Sequence, residues 1–335
     1  MSRWQALEGR SIELLYRKDV KVTRAPIAGD ILRGFGFETR VVVEQDVDLS
    51  PDRILFVGGN PLWYRRALSR VEALPQEERP PVIVWHTEPL PMPRAAGLPR
   101  EPLTLRELAK IVLRDRRIND WWSNGRYLRA LPERGIVTVL AVATGAYQAY
   151  LAEHGVESEF VPVGYHIDDG RLLGLERDID VLFLGDYRIR RRRRILADLR
   201  REGIDVLVEG SHSPTRGYWG EARTELLNRT KILLNLPRLQ GHLPDIRLIV
   251  GMANGALVVS EPLHLPAPFV PGAHYVESPA AELPATVRRY LSDDEARERI
   301  SHAAHELVTQ GLTLEESFAR LLDLAAVRLG RDGSA

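Results

Sequence analysis

Nine short apolar runs rich in Val, Ile and Leu recur along the chain, with amphipathic stretches between them. The first five are SIELLY (11–16), TRVVV (39–43), RILFVGG (53–59), PVIVW (81–85) and VTVLAVAT (137–144). The other four are DVLFLG (180–185), DVLVEG (205–210), KILLNL (231–236) and ALVVSE (256–261). Runs of this length that alternate with helical patterns read as parallel strands buried on both faces by crossover helices. At 335 residues the chain exceeds one comfortable core and suits two domains of roughly 150 residues each. The expected fold class is α/β, with two Rossmann-like, doubly wound parallel-sheet domains facing a cleft. The expected boundaries are residues 1–165 for the first domain and 166–178 for a linker. Residues 179–335 then form a second domain that ends in helices, with Ser292 and Thr313 as helix N-caps.

Charge narrows the function classes. Forty-six basic side chains face 46 acidic ones, so no whole-protein field gathers nucleic acid or an anionic membrane. Lysine occurs only at Lys18, Lys21, Lys110 and Lys231, and this arginine bias weakens any inference from arginine counts alone. With no cysteine there is no disulfide frame, thiolate nucleophile or Cys-ligated metal. The stretch MSRWQALEGRSIELLYRKDV has no long apolar run, which leads us to expect neither a signal peptide nor a membrane anchor, and a cytoplasmic location.

Two segments carry candidate chemistry. In RDIDVLFLGDYRIRRRRRILADLRREG (177–203) a strand ends at Gly185 and a helix follows, with Ile195, Leu196 and Leu199 on its apolar side. Helical spacing puts Arg192 on that inward face, while Arg190, Arg191 and Arg194 point elsewhere. The run as a whole reads as solvated, but Arg192 or Arg188 is placed to meet a phosphate near a helix N-terminus. In ILLNLPRLQGHLPDIRLIVGMANGALVVSEP (232–262) a strand ends at Asn235 and a loop carries His242. Pro244 and Asp245 open a helix there, and Asn254-Gly255 close it. Arg247 lies in its first turn, where it reinforces an anion site. Elsewhere, Asn228-Arg-Thr reads as a chance glycosylation sequon, and Trp121-Trp122 as packing rather than a sugar platform.

These segments resemble the glycosyltransferases of the GT-B fold, in particular the bacterial group that includes CgeB-like, spore-maturation-type enzymes. The similarity rests on FVPVGYH, ERDIDVLFLGDYRIRRRRRIL, LLNLPR, DIRLIVGMANGALVVSEP and SDDEARERISHAAHELV, and in outline on DVKVTRAPIAGDILRGFGFETRVVV. The resemblance implies a hexosyltransferase-like enzyme with a nucleotide-diphosphate sugar as co-substrate, bound mainly by the second domain. The acceptor, a glycan, lipid, protein or small molecule, would be held by the first. Gly185, Arg188, Arg192 and Arg247 would face the diphosphate, Asn235, His242 and Glu261 would line the sugar, ribose or base, and residues 210–220 would accommodate the base. Retaining relatives often carry a pair of glutamates where this chain has His242 and Val250, so Glu261 or His242 would substitute.

Arginines and helix N–H groups can stabilise a departing diphosphate without a metal, so neither metal nor other cofactor is expected. Asp178 and Asp180 precede their strand, at the end of the sheet away from the ligand. If the reaction inverts stereochemistry, the acceptor hydroxyl needs a base, and His86 and Glu88 in VIVWHTEPLP follow a strand directly. A nucleotide-sugar epimerase and a non-catalytic nucleotide-sugar-binding or scaffold protein of the same fold remain the alternatives. Nucleic acid is not an expected partner, and no integral membrane segment is expected.

Overall fold

The computed structural model describes residues 3–17, 24–98, 105–113, 120–210, 220–243 and 245–332. It divides into two compact units, Met1–Pro162 with Glu315–Ala335, and Val163–Leu314. In the first, the elements in chain order are β1 (Ser11–Leu15), α1 (Ala25–Gly34), β2 (Thr39–Val42), β3 (Arg53–Gly59), α2 (Arg65–Ala73) and β4 (Val82–His86). They continue with α3 (Leu105–Val112), α4 (Asp120–Ala130), β5 (Val139–Val142), α5 (Gly145–Ala152) and β6 (Glu159–Phe160). The sheet runs in the order β2-β1-β3-β4-β5-β6, and every pairing in it is parallel. Leu55, Val57, Val82, Val84 and Val142 fill the core under Leu68, Leu128 and Leu151, as expected of strands covered on both faces.

The second unit contains β7 (Ile179–Leu184), α6 (Arg190–Arg201), β8 (Leu207–Glu209), α7 (Gly220–Asn228), β9 (Thr230–Asn235) and α8 (Asp245–Ala253). It closes with β10 (Leu257–Ser260), β11 (Val276–Glu277), α9 (Leu283–Ser292) and α10 (Asp294–Gln310). The sheet order is β11-β10-β9-β7-β8, again parallel throughout. The chain moves from β7 outward to β8, then returns to the other side of β7 for β9. This reversal makes the carboxyl ends of β7 and β9 the topological switch point, where open α/β sheets form a ligand crevice.

The last helix, α11 (Leu314–Asp332), starts directly after Thr313 and packs almost wholly in the first unit. Phe318 lies 5.4 Å from Phe56 and 5.6 Å edge-on from Trp85 by ring centroids. Ser317 donates to the Pro162 carbonyl at 2.8 Å, and Arg3 pairs with Asp323 at 2.7 Å. The sequence reading put residues 179–335 together. A helix pattern reveals an apolar face but not which sheet that face covers.

The expected linker, 166–178, is built into the second unit. The Asn254 amide donates to the carbonyls of Asp169 and Val250 at 3.1 and 2.7 Å, and its oxygen accepts from Asn228 at 2.9 Å. Asn228 in turn reaches the Arg171 carbonyl at 2.8 Å and accepts from the Leu173 N–H at 2.7 Å. Asn228 is 2% exposed, so this sequon position is a structural amide. Arg177 donates to the carbonyls of Leu227 and Asn254 at 3.2 and 2.9 Å, completing the ends of α7 and α8. Burial lowers its pKa, and Arg297 adds to the effect.

Helix boundaries correct one N-cap. Ser292 is the last residue of α9, and its hydroxyl donates back to Arg289. The cap of α10 is Asp293, whose carboxylate accepts from the Ala296 N–H at 3.0 Å. A carboxylate beside a helix N-terminus also complements its dipole, which a neutral serine does not. Among the described residues no helix is long and apolar enough to cross a membrane.

Candidate donor-anion site

The carboxyl ends of β7 and β9 gather most of the residues singled out in the second unit. Gly185 follows β7, and its N–H donates to Glu209 of β8 at 2.8 Å. A Cβ at Gly185 would stand 3.2 Å from an Arg247 guanidinium nitrogen and 3.3 Å from Phe183, so a bare backbone suits this junction. Gly210, at φ +93°, approaches so closely that its Cβ would lie 2.8 Å from the Gly185 nitrogen.

Arg192 occupies the inward face of α6 and is 5% exposed. Its Nε donates to the Leu236 carbonyl at 2.8 Å and its Nη1 to the Asp186 carbonyl at 3.0 Å. The guanidinium carbon lies 5.6 Å from the Phe183 ring centroid. Arg247 approaches the same ring at 6.0 Å from α8, and its Nη1 donates to the Asn235 side-chain oxygen at 2.9 Å. Two cations over one aromatic ring are held by neutral acceptors, and among the described residues neither forms an ion pair.

Their electrostatics follow from that arrangement. Burial, with the neighbouring Arg192 charge adding to it, pushes the Arg247 pKa down to about 9. Arg247 as a whole is half-buried, with its charged end the shielded part. Arg192 falls to about 10, chiefly through burial, with Arg238 and Arg191 adding to the fall and Asp186 and Glu261 opposing it. Both remain protonated at neutral pH. Two desolvated like charges, neither of them in an ion pair among the described residues, form a site that an anion would stabilise.

The other second-unit residues take different places. Asn235 is fully buried; its amide donates to Ser260 at 2.8 Å, which orients its oxygen toward Arg247. Glu261 is 2% exposed and engaged by both terminal nitrogens of Arg191, one of them at 2.8 Å. Arg191 had been expected to point elsewhere, but the length of its side chain lets it wrap from the edge of the α6 inward face to a buried carboxylate. Arg188 is exposed and pairs with Asp186 at 3.0 Å. His242 is 7% exposed in the loop before α8. Asp178 and Asp180 lie at the amino end of β7, paired with Arg229 and Lys231. Residues 211–219 and Pro244 lie outside the described residues, as does the side chain of Asp245.

In the first unit, His86 is the last residue of β4 rather than part of the loop after it, aligned with Gly59 of β3 and Val142 of β5. It is fully buried, and neither ring nitrogen makes a hydrogen bond. Burial drives its pKa to about 3, although the nearby backbone of Glu88 and Gly59 favours the protonated ring slightly. Glu88 is half-buried two residues further on. Trp122 lies under Arg126, whose guanidinium carbon is 5.5 Å from the indole centroid.

Sequence reasoning missed Asp186, Arg191 and Arg238 as members of the charged cluster. Asp186 directly follows Gly185, and that adjacency was the available signal. The Arg191–Glu261 pair spans 70 positions, and local spacing carries no trace of it.

Residues 190–323 match a family model described as glycosyl transferase-like. No curated protein sequence matches the chain. Among solved structures, Anabaena HepE in complex with UDP-glucose superposes with a TM-score of 0.59 at 11% identity, covering 95% of this chain and 99% of HepE. Sucrose-phosphate synthase from Thermosynechococcus elongatus gives 0.58 at 14% identity, covering 97% and 98%. TarM gives 0.59 at 10% identity, covering 84% of this chain but 56% of TarM. At these identities the likeness establishes the fold: two parallel-sheet α/β domains of the kind found in GT-B glycosyltransferases.

Proposed function

We propose that the protein is a GT-B-type glycosyltransferase whose second unit binds a nucleotide-diphosphate sugar, with the diphosphate between Arg192 and Arg247 at the switch point of the sheet. The observation that carries this reading is the pair itself: two shielded guanidinium groups without ion pairs at the carboxyl ends of β7 and β9. The family match over residues 190–323 covers both arginines, and one structural neighbour holds UDP-glucose.

In this reading the bond from the anomeric carbon to the diphosphate breaks, and negative charge develops on the departing phosphate oxygens. Arg192 and Arg247 are already desolvated and fixed by Leu236, Asp186 and Asn235, so they stabilise that charge with little rearrangement. Their donors replace the charge neutralisation a metal would supply, and the proposed reaction is metal-independent. Asn235 acts as a positioning residue for Arg247. Glu261, held by Arg191, fixes the first turn of α6 against β10. Should the reaction invert configuration, Glu88 is the better base of the two candidates. His86 is sealed from solvent and neutral far into the acid range. The CgeB-like, hexose-transferring subgroup is the specific relationship we assign, with the acceptor open among glycans, lipids, proteins and small molecules.

A thermal-shift screen against UDP, GDP, dTDP, CMP and their sugars, with and without magnesium, tests the donor site. Selective stabilisation by one nucleoside diphosphate, unchanged by magnesium, is the expected result. Absence of any shift with all of them would remove the basis for this assignment.

A further inference from the structure

A carboxylate stands beside the two shielded arginines. Asp186 directly follows Gly185 at the end of β7, and its side chain is 18% exposed. Its backbone carbonyl accepts from Arg192 at 3.0 Å, and its carboxylate is near enough to oppose the fall in the Arg192 pKa. One carboxylate oxygen accepts from the Arg188 backbone N–H and from the Arg188 Nε, each at 3.0 Å, and the other accepts from Nη2 at 3.4 Å. Arg192 at the peptide and Arg188 at the side chain therefore pin this negative charge in place. Its partner Arg188 is 59% exposed, so water screens the cation more than it screens Asp186. Glu261 differs in both respects: it is 2% exposed and engaged by both terminal nitrogens of Arg191.

A fixed negative charge lowers the affinity of a site for a diphosphate, but not equally for the two forms of the ligand. In a nucleotide sugar each phosphate carries one ionised oxygen. Transfer leaves on the diphosphate the oxygen that had held the sugar. A terminal phosphate undergoes its second ionisation at about pH 6, so the freed diphosphate carries nearly one more negative charge at neutral pH. Repulsion grows with the charge of the ligand, and Asp186 therefore opposes the product more than the donor.

We propose that Asp186 is a charge-discriminating residue of the donor site, which weakens the hold on the freed nucleoside diphosphate more than on the intact nucleotide sugar and so speeds product release. The inference rests on the donor reading above and adds a function to it. Arg192 and Arg247 draw the diphosphate in, and Asp186 limits how tightly the site keeps it after transfer.

Calorimetric titration of the parent and of Asp186→Asn with UDP, GDP and dTDP, and with their glucose and N-acetylglucosamine esters, tests it. Asparagine keeps an oxygen for the Arg188 N–H, so the turn survives and the circular dichroism spectrum should match the parent. The diphosphate that the parent binds should be held about tenfold more tightly by the variant, and its sugar ester no more than about threefold more tightly. Arg188→Met leaves the Asp186 charge uncompensated, and the diphosphate should then lose more affinity than the sugar ester. Diphosphate affinity that Asp186→Asn leaves unchanged or weakens, or equal tightening of diphosphate and sugar ester, overturns the proposal while the donor site stands. Failure of the parent to bind any of the three diphosphates removes the donor site, and the proposal with it.

Discussion

Replacing Arg247 by methionine removes the charge and keeps most of the volume, which separates ligand binding from packing. In the free protein Arg247 contributes one hydrogen bond to Asn235 at 2.9 Å and a marginal one to the Leu236 carbonyl at 3.5 Å. The better bond contributes about 1 kcal/mol to stability. Against it stand the desolvation that depresses the Arg247 pKa to about 9 and the repulsion from Arg192. Folded and unfolded chains are both protonated at this position below about pH 9, so the cost is constant at neutral pH. It is relieved only as pH rises above about 9 toward the ordinary arginine range, because the folded state gives up its proton first. The two contributions nearly cancel, and Arg247→Met should leave the stability of the free protein within about 1 kcal/mol of the parent. Binding is different, because a charge-assisted bond to a phosphate contributes about 1.5–3 kcal/mol. The affinity for a nucleoside diphosphate should therefore fall about 10- to 150-fold. Calorimetric titration, with urea denaturation of the free proteins alongside, reads both quantities. Unchanged affinity in a protein that has lost several kcal/mol of stability would show that Arg247 is a structural residue, and the anion-site argument would fail.

The remaining expectations concern the scaffold. A Cβ at Gly170 would lie 2.0 Å from the Asn254 amide at φ +136°, so Gly170→Ala should cost about 3 kcal/mol or more in urea denaturation, and a change below about 0.5 kcal/mol would contradict the amide network. For His86, the unfolded chain takes up a proton near pH 6.5 while the folded protein does not until about 3. Stability should thus decline on acidification through that window by up to about 1.4 kcal/mol per pH unit, and His86→Phe should flatten the profile; parallel profiles for the two proteins would refute this. Arg191→Met strands the Glu261 carboxylate, 2% exposed, and should destabilise by about 3 kcal/mol, with partial recovery in the Arg191→Met/Glu261→Gln double variant. Additive losses in that cycle would show that the pair is not coupled.

The sheets were legible because parallel strands buried on both faces leave long Val, Ile and Leu runs, and because Gly185 and Asn235 mark where two of them end. Arg192 was legible by phase, since an arginine in line with Ile195 and Leu199 has to be buried or bound. Strands β6 and β11, two residues each, fall below any periodic signal. The docking of α11 through Phe318 and the wrapping of Arg191 onto Glu261 are tertiary choices that no local window contains. His86 was read as a loop residue because PVIVW appeared to end the strand. One further residue of pairing with Gly59 and Val142 carries the imidazole inside instead. The linker was misjudged for a related reason: Pro, Gly and charge describe exposed backbone equally well in a tether and in a segment stapled by Asn228, Asn254 and Arg177.

The central claim is transfer chemistry, and release of nucleoside diphosphate from a panel of nucleotide sugars in the presence of a chelator tests it most directly. The account predicts turnover of one nucleotide sugar that persists in the chelator and is abolished in Arg192→Met. Tight binding without release for every sugar and acceptor tried would contradict it, and would make the protein a nucleotide-sugar-binding module of the same fold.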